Sequence, residues 1–154
     1  MSHITEAKIR VRDMDALNDV AVLLGGELVL GQRTHRTYGR FVGDSAEGAQ
    51  FVAERGEDAI GKCDHAIRLK NSGSHDYEIG VVPSLDGDGY SLVYDSWGPG
   101  KRLEAAFGTG LNGIKREYAA AVATKAVERK MGRRYKVERE DLPNRRIKLR
   151  VRKR

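Results

Sequence analysis

Alternation between apolar and polar residues on both sides of a glycine-rich turn is the feature that most constrains the fold of this chain. It runs through residues 77–81 and again through residues 90–95, and the tip between them contains Asp86-Gly87-Asp88-Gly89. A period of two places every second side chain on the same face of a strand. Asp-Gly pairs adopt the tight turns that join antiparallel strands. The pattern therefore predicts a β-hairpin with one buried face.

Hydrophobic spacing in the rest of the chain predicts a single α+β domain over residues 1–154. Apolar residues spaced three and four apart indicate helices that bury one side, whereas strict alternation indicates strands. Because hairpins dominate, we expect a largely antiparallel sheet of hairpins packed against one long and one short helix. The long helix is expected at about 112–131, the short one near 101–107, a further helical stripe at 14–24, and the other strands at 7–12, 27–31, 63–70, 135–137 and 147–151.

The segment 43–62 shows no sustained period, and it is rich in glycine and in acidic residues. Such a composition is typical of a loop that connects regular elements. We therefore expect a flexible loop here, and the sequence leaves open a short helix around residues 46–55.

Composition narrows the class of protein. Cys63 is the only cysteine among 154 residues, so no intramolecular disulfide can form and a reducing cytoplasm is the expected location. Apolar runs such as residues 20–24 are too short to cross a bilayer. The first residues lack the basic segment and apolar core of a secretory signal. We expect a cytoplasmic protein with no membrane partner.

The net charge of +6 conceals an uneven distribution along the chain. Residues 1–100 hold 10 Lys and Arg against 16 Asp and Glu, whereas residues 101–154 hold 18 against 6. Such asymmetry favours an anionic partner, most often nucleic acid. The alternative is internal, with the acidic segment 44–58 packing against the basic part of the same fold.

Two segments carry a resemblance to a known family. The opening MSHITEAKIRVRDMDAL and the hairpin with its exit Asp95-Ser96-Trp97-Gly98 resemble the hypothetical chloroplast reading-frame thirty-five family of cyanobacteria, plastids and phages. The resemblance covers residues 1–24, 63–98 and 114–154, and it implies an α+β fold. The family has no established activity. Its members often carry two tryptophans in the exit motif, and Ser96 replaces the first of them here.

The strongest functional signal is a basic C-terminal hairpin expected at residues 133–154. Alternation places its cations on one face, and its apolar residues, which include Val137, Leu149 and Val151, on a face that we expect to join the core. A basic ribbon of this kind can follow a phosphate backbone. We predict a non-enzymatic protein that binds nucleic acid through Arg129, Lys130, Arg133, Arg134, Lys136, Lys148, Arg150 and Arg152.

Two functions of other classes fit the sequence as well. One is an adaptor that docks on another protein; the resemblance implies an AAA-type ATPase, because cyanobacterial genes of the family often lie near one. The other is a small-ligand pocket beneath the first hairpin, lined by Tyr77, Tyr94 and Trp97, with Trp97 closing one end of the core. For stacking on nucleic-acid bases, the exposed aromatic candidates are Tyr38, Phe41 and Trp97.

Three motifs resemble parts of cofactor or metal sites, but each lacks the neighbouring residues or elements that such a site requires. Residues 108–113 spell G-x-G-x-x-G, but no strand precedes them as in a dinucleotide site. Cys63 and His65 have no second pair at zinc spacing, and Asp86 with Asp88 lack the further oxygen ligands of a calcium loop. We expect no cofactor, no metal and no catalytic residue.

Three acidic residues of the first hairpin, Asp76, Glu78 and Asp95, form the last candidate group. Paired carboxylates can act as general acid and base when their environments separate their pKa values. We interpret these three instead as solvated charges on the outer surface of the strands.

Overall fold

The computed structural model describes residues 2–39, 43 and 45–154. Four helices and seven strands confirm the α+β class. They are β1 (Ile4–Val11), α1 (Met14–Leu23), β2 (Gly26–Leu30), α2 (Ala46–Arg55), β3 (His65–Leu69), β4 (Ile79–Pro83), β5 (Tyr90–Asp95), α3 (Gly100–Phe107), α4 (Asn112–Met131), β6 (Tyr135–Leu142) and β7 (Arg146–Lys153).

The main sheet has five antiparallel strands in the order β1-β5-β4-β3-β2. Its centre is the hairpin that the alternating segments predicted, with Gly80 opposite Val93 and Pro83 opposite Tyr90. The Ser84 amide donates to the Gly89 carbonyl at 3.0 Å and closes the loop at the tip. The predicted hairpin is therefore confirmed as β4–β5.

Both faces of this hairpin are buried, whereas the sequence predicted one. Leu92 and Tyr94 face a core that they share with α1, α3 and α4. Val82 and Val93 pack on the other face against Phe51 of α2. The expectation was wrong because α2 covers the second face, and α2 forms inside the segment for which a loop was expected.

Helix α2 occupies residues 46–55, the range that the sequence left open for a short helix. The Ser45 hydroxyl caps it by accepting the Gly48 amide at 3.0 Å. Phe51 is the apolar residue that holds it against the sheet, and its side chain is 4% exposed. The preceding Asp44 lies outside the described residues.

Helices α3 and α4 meet at a turn that requires glycine at two positions. Gly108 has φ of 89°, and a Cβ on Gly113 would lie 2.6 Å from the Phe107 carbonyl oxygen. Helix α4 then runs to Met131, as predicted, and Gly132 ends it with φ of 69°. Among the described residues, no helix is both long and apolar enough to span a membrane.

Strands β6 and β7 form a separate two-stranded sheet that packs on α4 and does not join the main sheet. The apolar residues expected to enter the core are therefore less buried than predicted. Val137 and Leu149 are half-buried, and Val151 is exposed. From one side of the molecule to the other, the layers are α2, the main sheet, the helices α1, α3 and α4, and the β6–β7 hairpin.

Candidate nucleic-acid interface

The register of the β6–β7 hairpin determines which charged side chains share a face. Lys136 lies opposite Arg152, Glu138 opposite Arg150 and Glu140 opposite Lys148. Directly opposed residues of an antiparallel pair project to the same side. The ladder continues past the strands, because the Arg154 amide donates to the Arg134 carbonyl. We call this side the outer face; it comprises Arg134, Lys136, Glu138, Glu140, Leu142, Arg146, Lys148, Arg150, Arg152 and Arg154.

An ion pair fixes the inner face of the hairpin against α4. The Arg139 guanidinium donates to both carboxylate oxygens of Glu117 on α4, each at 2.6 Å, and to Asp141 at 2.9 Å. These two carboxylates, Glu117 above all, raise the pKa of Arg139 above its ordinary value. Because the inner face is held in this way, the outer face is directed to solvent.

Sequence reasoning missed Arg139, although a signal was present. It occupies an inner-face position in the alternating pattern, two residues after Val137, where an apolar residue is expected. A cation at such a position needs a buried or half-buried partner. Which helix supplies that partner is tertiary information that the alternation does not contain.

The cations of the outer face differ in how far they are neutralised. Glu138 forms ion pairs with Lys136 Nζ at 3.2 Å and with Arg152 Nε at 3.0 Å. By contrast, Lys148 and Arg150 are exposed and form no ion pair with any residue in the described part of the chain. These two side chains hold the most available positive charge among the predicted strand residues.

The other four predicted cations cluster where α4 joins the hairpin. Arg129 and Lys130 lie in the last turn of the helix, and Arg133 with Arg134 lie in the 3-10 turn that follows it. All four are exposed. Cations at this end also interact favourably with the helix dipole, so Arg129 and Lys130 have a structural role whether or not they touch a ligand.

The acidic segment does not cover this basic surface. Helix α2 packs on the opposite face of the main sheet, where Arg55 of the helix pairs with Glu6 of β1 at 3.0 Å. The β6–β7 hairpin lies beyond the helices of the other face. The sequence also allowed the acidic segment to pack against the basic hairpin. Over the described residues 45–58, the structure does not show this packing.

The aromatic residues proposed for a ligand pocket do not converge on an accessible cavity. Tyr94 is 1% exposed, and its hydroxyl donates to Glu104 at 2.7 Å and accepts the Gly110 amide at 3.1 Å. Tyr77 is half-buried at the edge of the same core. Tyr94 therefore offers no surface to a ligand.

Trp97 was expected to close one end of the core, and this expectation is wrong, because the residue is 39% exposed. Its backbone amide donates to the Asp95 carboxylate at 2.9 Å, which turns the chain outward as soon as β5 ends. Tyr38 is exposed to a similar degree, and Phe41 lies outside the described residues. Neither exposed aromatic belongs to the β6–β7 hairpin.

The remaining motifs are occupied by internal contacts. The Gly110 amide of the glycine-rich motif points to Tyr94 and Glu104, and so is engaged within the protein. The Cys63 thiol donates to the Gln32 carbonyl at 3.2 Å, and burial raises its pKa to about 11. Over the described ranges, no three His, Cys, Asp or Glu side chains are placed to hold a metal ion.

The acidic residues Asp76, Glu78 and Asp95 were expected to be solvated, and they are buried instead. Each carboxylate accepts a backbone amide: Asp76 from Gly73 of its own loop at 2.8 Å, Glu78 from the distant Arg36 at 2.8 Å, and Asp95 from the distant His3 at 3.0 Å. The Gly73 amide and the Arg102 guanidinium lower the pKa of Asp76. These carboxylates tie loops to the sheet, which a periodicity argument does not detect.

No family model, no curated protein and no solved structure matches this chain. The resemblance to the reading-frame thirty-five family stays a prediction that rests on the quoted motifs.

Proposed function

We propose that this protein is a cytoplasmic, non-enzymatic nucleic-acid-binding protein whose interface is the outer face of the β6–β7 hairpin. One observation carries the proposal: a hairpin fixed to α4 through Arg139 presents Lys148 and Arg150, which form no ion pair with any described residue, to solvent. The acidic part of the chain, over its described residues, lies on the far side of the main sheet and leaves this charge uncompensated.

The physical basis of the proposal is the release of counterions. A cation that neutralises a phosphate releases condensed ions from nucleic acid, so affinity falls steeply as salt rises. Alternate residues of a strand lie about 7 Å apart on one face. Lys148, Arg150 and Arg152 thus form a row of regularly spaced charges on β7.

The test replaces that row in the variant Lys148→Ala/Arg150→Ala/Arg152→Ala. We expect weaker binding to every nucleic acid that the parent binds, and a slope of log affinity against log salt smaller by about 2 to 3. Electrophoretic mobility shift or fluorescence anisotropy at several salt concentrations measures both quantities. The fold should persist, because all three side chains lie on the face opposite Leu149.

A matched control separates the site from the total charge. Lys8→Ala/Lys62→Ala/Lys70→Ala removes three exposed cations from residues 1–131, the part of the fold outside the β6–β7 hairpin, which we call the main domain. This variant should keep an affinity and a salt slope close to those of the parent. Equal losses in both variants would argue against a site on the hairpin. Absence of binding to any nucleic acid at low ionic strength would overturn the proposal and favour the protein-adaptor alternative.

A further inference from the structure

We infer that the nucleic acid is duplex DNA, and that the β6–β7 hairpin enters its major groove as a two-stranded ribbon. This inference rests on the proposed function and specifies the form of ligand for the same surface. It follows from how charge is distributed along the outer face, from the dimensions of the hairpin and from the chemistry of its central residues.

Charge on the outer face is concentrated at the two ends of the ribbon. Arg134 and Arg154 lie at the open end with Arg133 next to them in the chain, and Arg146 lies at the turn with Arg145 next to it. The centre is mixed, because the carboxylates of Glu138 and Glu140 stand among the cations there. A phosphate backbone laid along the whole ribbon would pass over both carboxylates, which repel it. Two phosphate backbones, one crossing each end of the ribbon, would not pass over these carboxylates.

The dimensions of the hairpin suit such an arrangement. Each strand has eight residues, which corresponds to a length of about 27 Å at the rise of an antiparallel strand. The major groove of B-DNA is about 12 Å wide and admits a two-stranded ribbon. A ribbon lying in the groove can therefore place its central side chains at the base edges and its terminal arginines at the flanking phosphates.

The central residues have the donors and acceptors that read base edges. Arg150 is unpaired within the described part of the chain and can donate two hydrogen bonds to the O6 and N7 atoms of guanine. Glu140 on the neighbouring strand forms no ion pair there either, and a carboxylate accepts from the amino group of cytosine. In the DNA major groove a carboxylate on the outer face can therefore recognise a base. Against a phosphate backbone the same carboxylate would only weaken binding.

The outer face is poorly suited to single strands and to duplex RNA. Proteins that bind single strands stack bases on aromatic side chains, and the outer-face residues of the two strands are charged except Leu142, so none of them is aromatic. Tyr135 belongs to the inner face. The major groove of A-form RNA is deep and too narrow for side chains to read. Duplex DNA is the form that remains.

The inference is tested first by comparing ligands. The parent protein should bind duplex DNA at least about tenfold more tightly than single-stranded DNA or duplex RNA of the same sequence. Selection from a randomised duplex library should enrich a site with a G·C pair at its centre. Tighter or equal binding of the single strand or of duplex RNA would overturn the inference and leave the proposed function intact. Absence of binding to all three would overturn both.

Two variants then separate base recognition from phosphate contact. Arg150→Ala should weaken binding to the selected site about 5- to 100-fold. Binding to unrelated duplexes, in which Arg150 contacts phosphate as the proposed function states, should fall much less. Arg146→Ala, at the turn, should weaken both equally and reduce the salt slope by about 1. If Arg150→Ala also lowers affinity uniformly, the ribbon contacts phosphate alone and does not read bases. Circular dichroism of both variants checks that the fold persists.

Discussion

His35 is a buried residue whose surroundings leave it little room. A Cβ on the facing Gly80 would lie 2.5 Å from its ring, so only glycine fits opposite. The ring Nδ1 lies 3.2 Å from the Glu78 carbonyl oxygen, which fixes its orientation. Burial lowers the pKa of His35, although Glu78 acts in the opposite direction. The ring is therefore neutral in the native protein under conditions in which an unfolded histidine takes up a proton.

This difference predicts a dependence of stability on pH. The unfolded chain binds a proton at His35 below its ordinary pKa of 6.5 while the native ring stays neutral, so stability falls as pH falls through that value. The loss reaches at most about 1.4 kcal/mol per pH unit. Urea unfolding between pH 7.5 and pH 5.5, a range set by the ordinary histidine pKa of about 6.5, measures the effect. His35→Asn should flatten the dependence, whereas exposed His75→Asn should preserve it. Identical profiles in all three proteins would contradict the prediction.

Helix α4 is buried along its first half only. Ile114 is fully buried and Tyr118 is 7% exposed, whereas Val122 is 36% exposed. These three residues share one helical stripe, and the spacing predicts that all three pack against the sheet, but Val122 does not. Periodicity identifies the side of a helix that is apolar, but it does not report where the sheet beneath the helix ends. Among the described residues beyond Tyr118, only the half-buried Ala121 still packs against the main core, and the helix also contacts the β6–β7 hairpin.

The two halves of α4 should therefore respond differently to truncation of an apolar side chain. Ile114→Ala removes a fully buried side chain and should lower the free energy of unfolding by about 2–4 kcal/mol. Val122→Ala should lower it by less than about 1 kcal/mol. Chemical denaturation of the two variants measures the difference. Equal losses would show that α4 is packed uniformly along its length.

The Arg139–Glu117 pair should decide how rigidly the hairpin is held. Its Arg side chain is 40% exposed, so Arg139→Ala should change global stability by only about 1 kcal/mol or less. The amides of β6 and β7 should nonetheless exchange faster with solvent, because the hairpin opens without unfolding the main domain. Hydrogen exchange measures this directly. Arg10→Ala, which breaks exposed pairs with Asp86 and Asp88, is the control and should not change exchange in the hairpin.

At the scale of the whole molecule, the sequence predicted local elements better than their assembly. The hairpin β4–β5, helix α3 and helix α4 follow from period and glycine placement. The position of α2 over the sheet does not follow from these signals. It depends on the contact of Phe51 with Val82 and Val93, which are far away in the sequence. For the site, alternation placed Lys148 and Arg150 on one face. It did not show that the hairpin stands apart from the main sheet.

That separation predicts that the main domain folds without the hairpin. Of the residues that the structure describes, no buried member of either hydrophobic core comes after Tyr118, and the half-buried Ala121 is the last residue that packs against one. A chain ending at Met131 should therefore keep cooperative thermal unfolding and the near-ultraviolet dichroism of its buried aromatic residues. Helix content should fall slightly, because the second half of α4 loses the surface that covers it.

The same truncated chain also tests the placement of the nucleic-acid interface. It loses every outer-face cation and Arg133 but keeps Arg129 and Lys130 of α4, so it should lose most of its nucleic-acid binding while its fold persists. Binding that survives the truncation at full strength would place the interface on the main domain. Loss of cooperative unfolding would show that the hairpin completes the core. Separate outcomes for fold and binding thus distinguish a hairpin that serves stability from one that serves recognition.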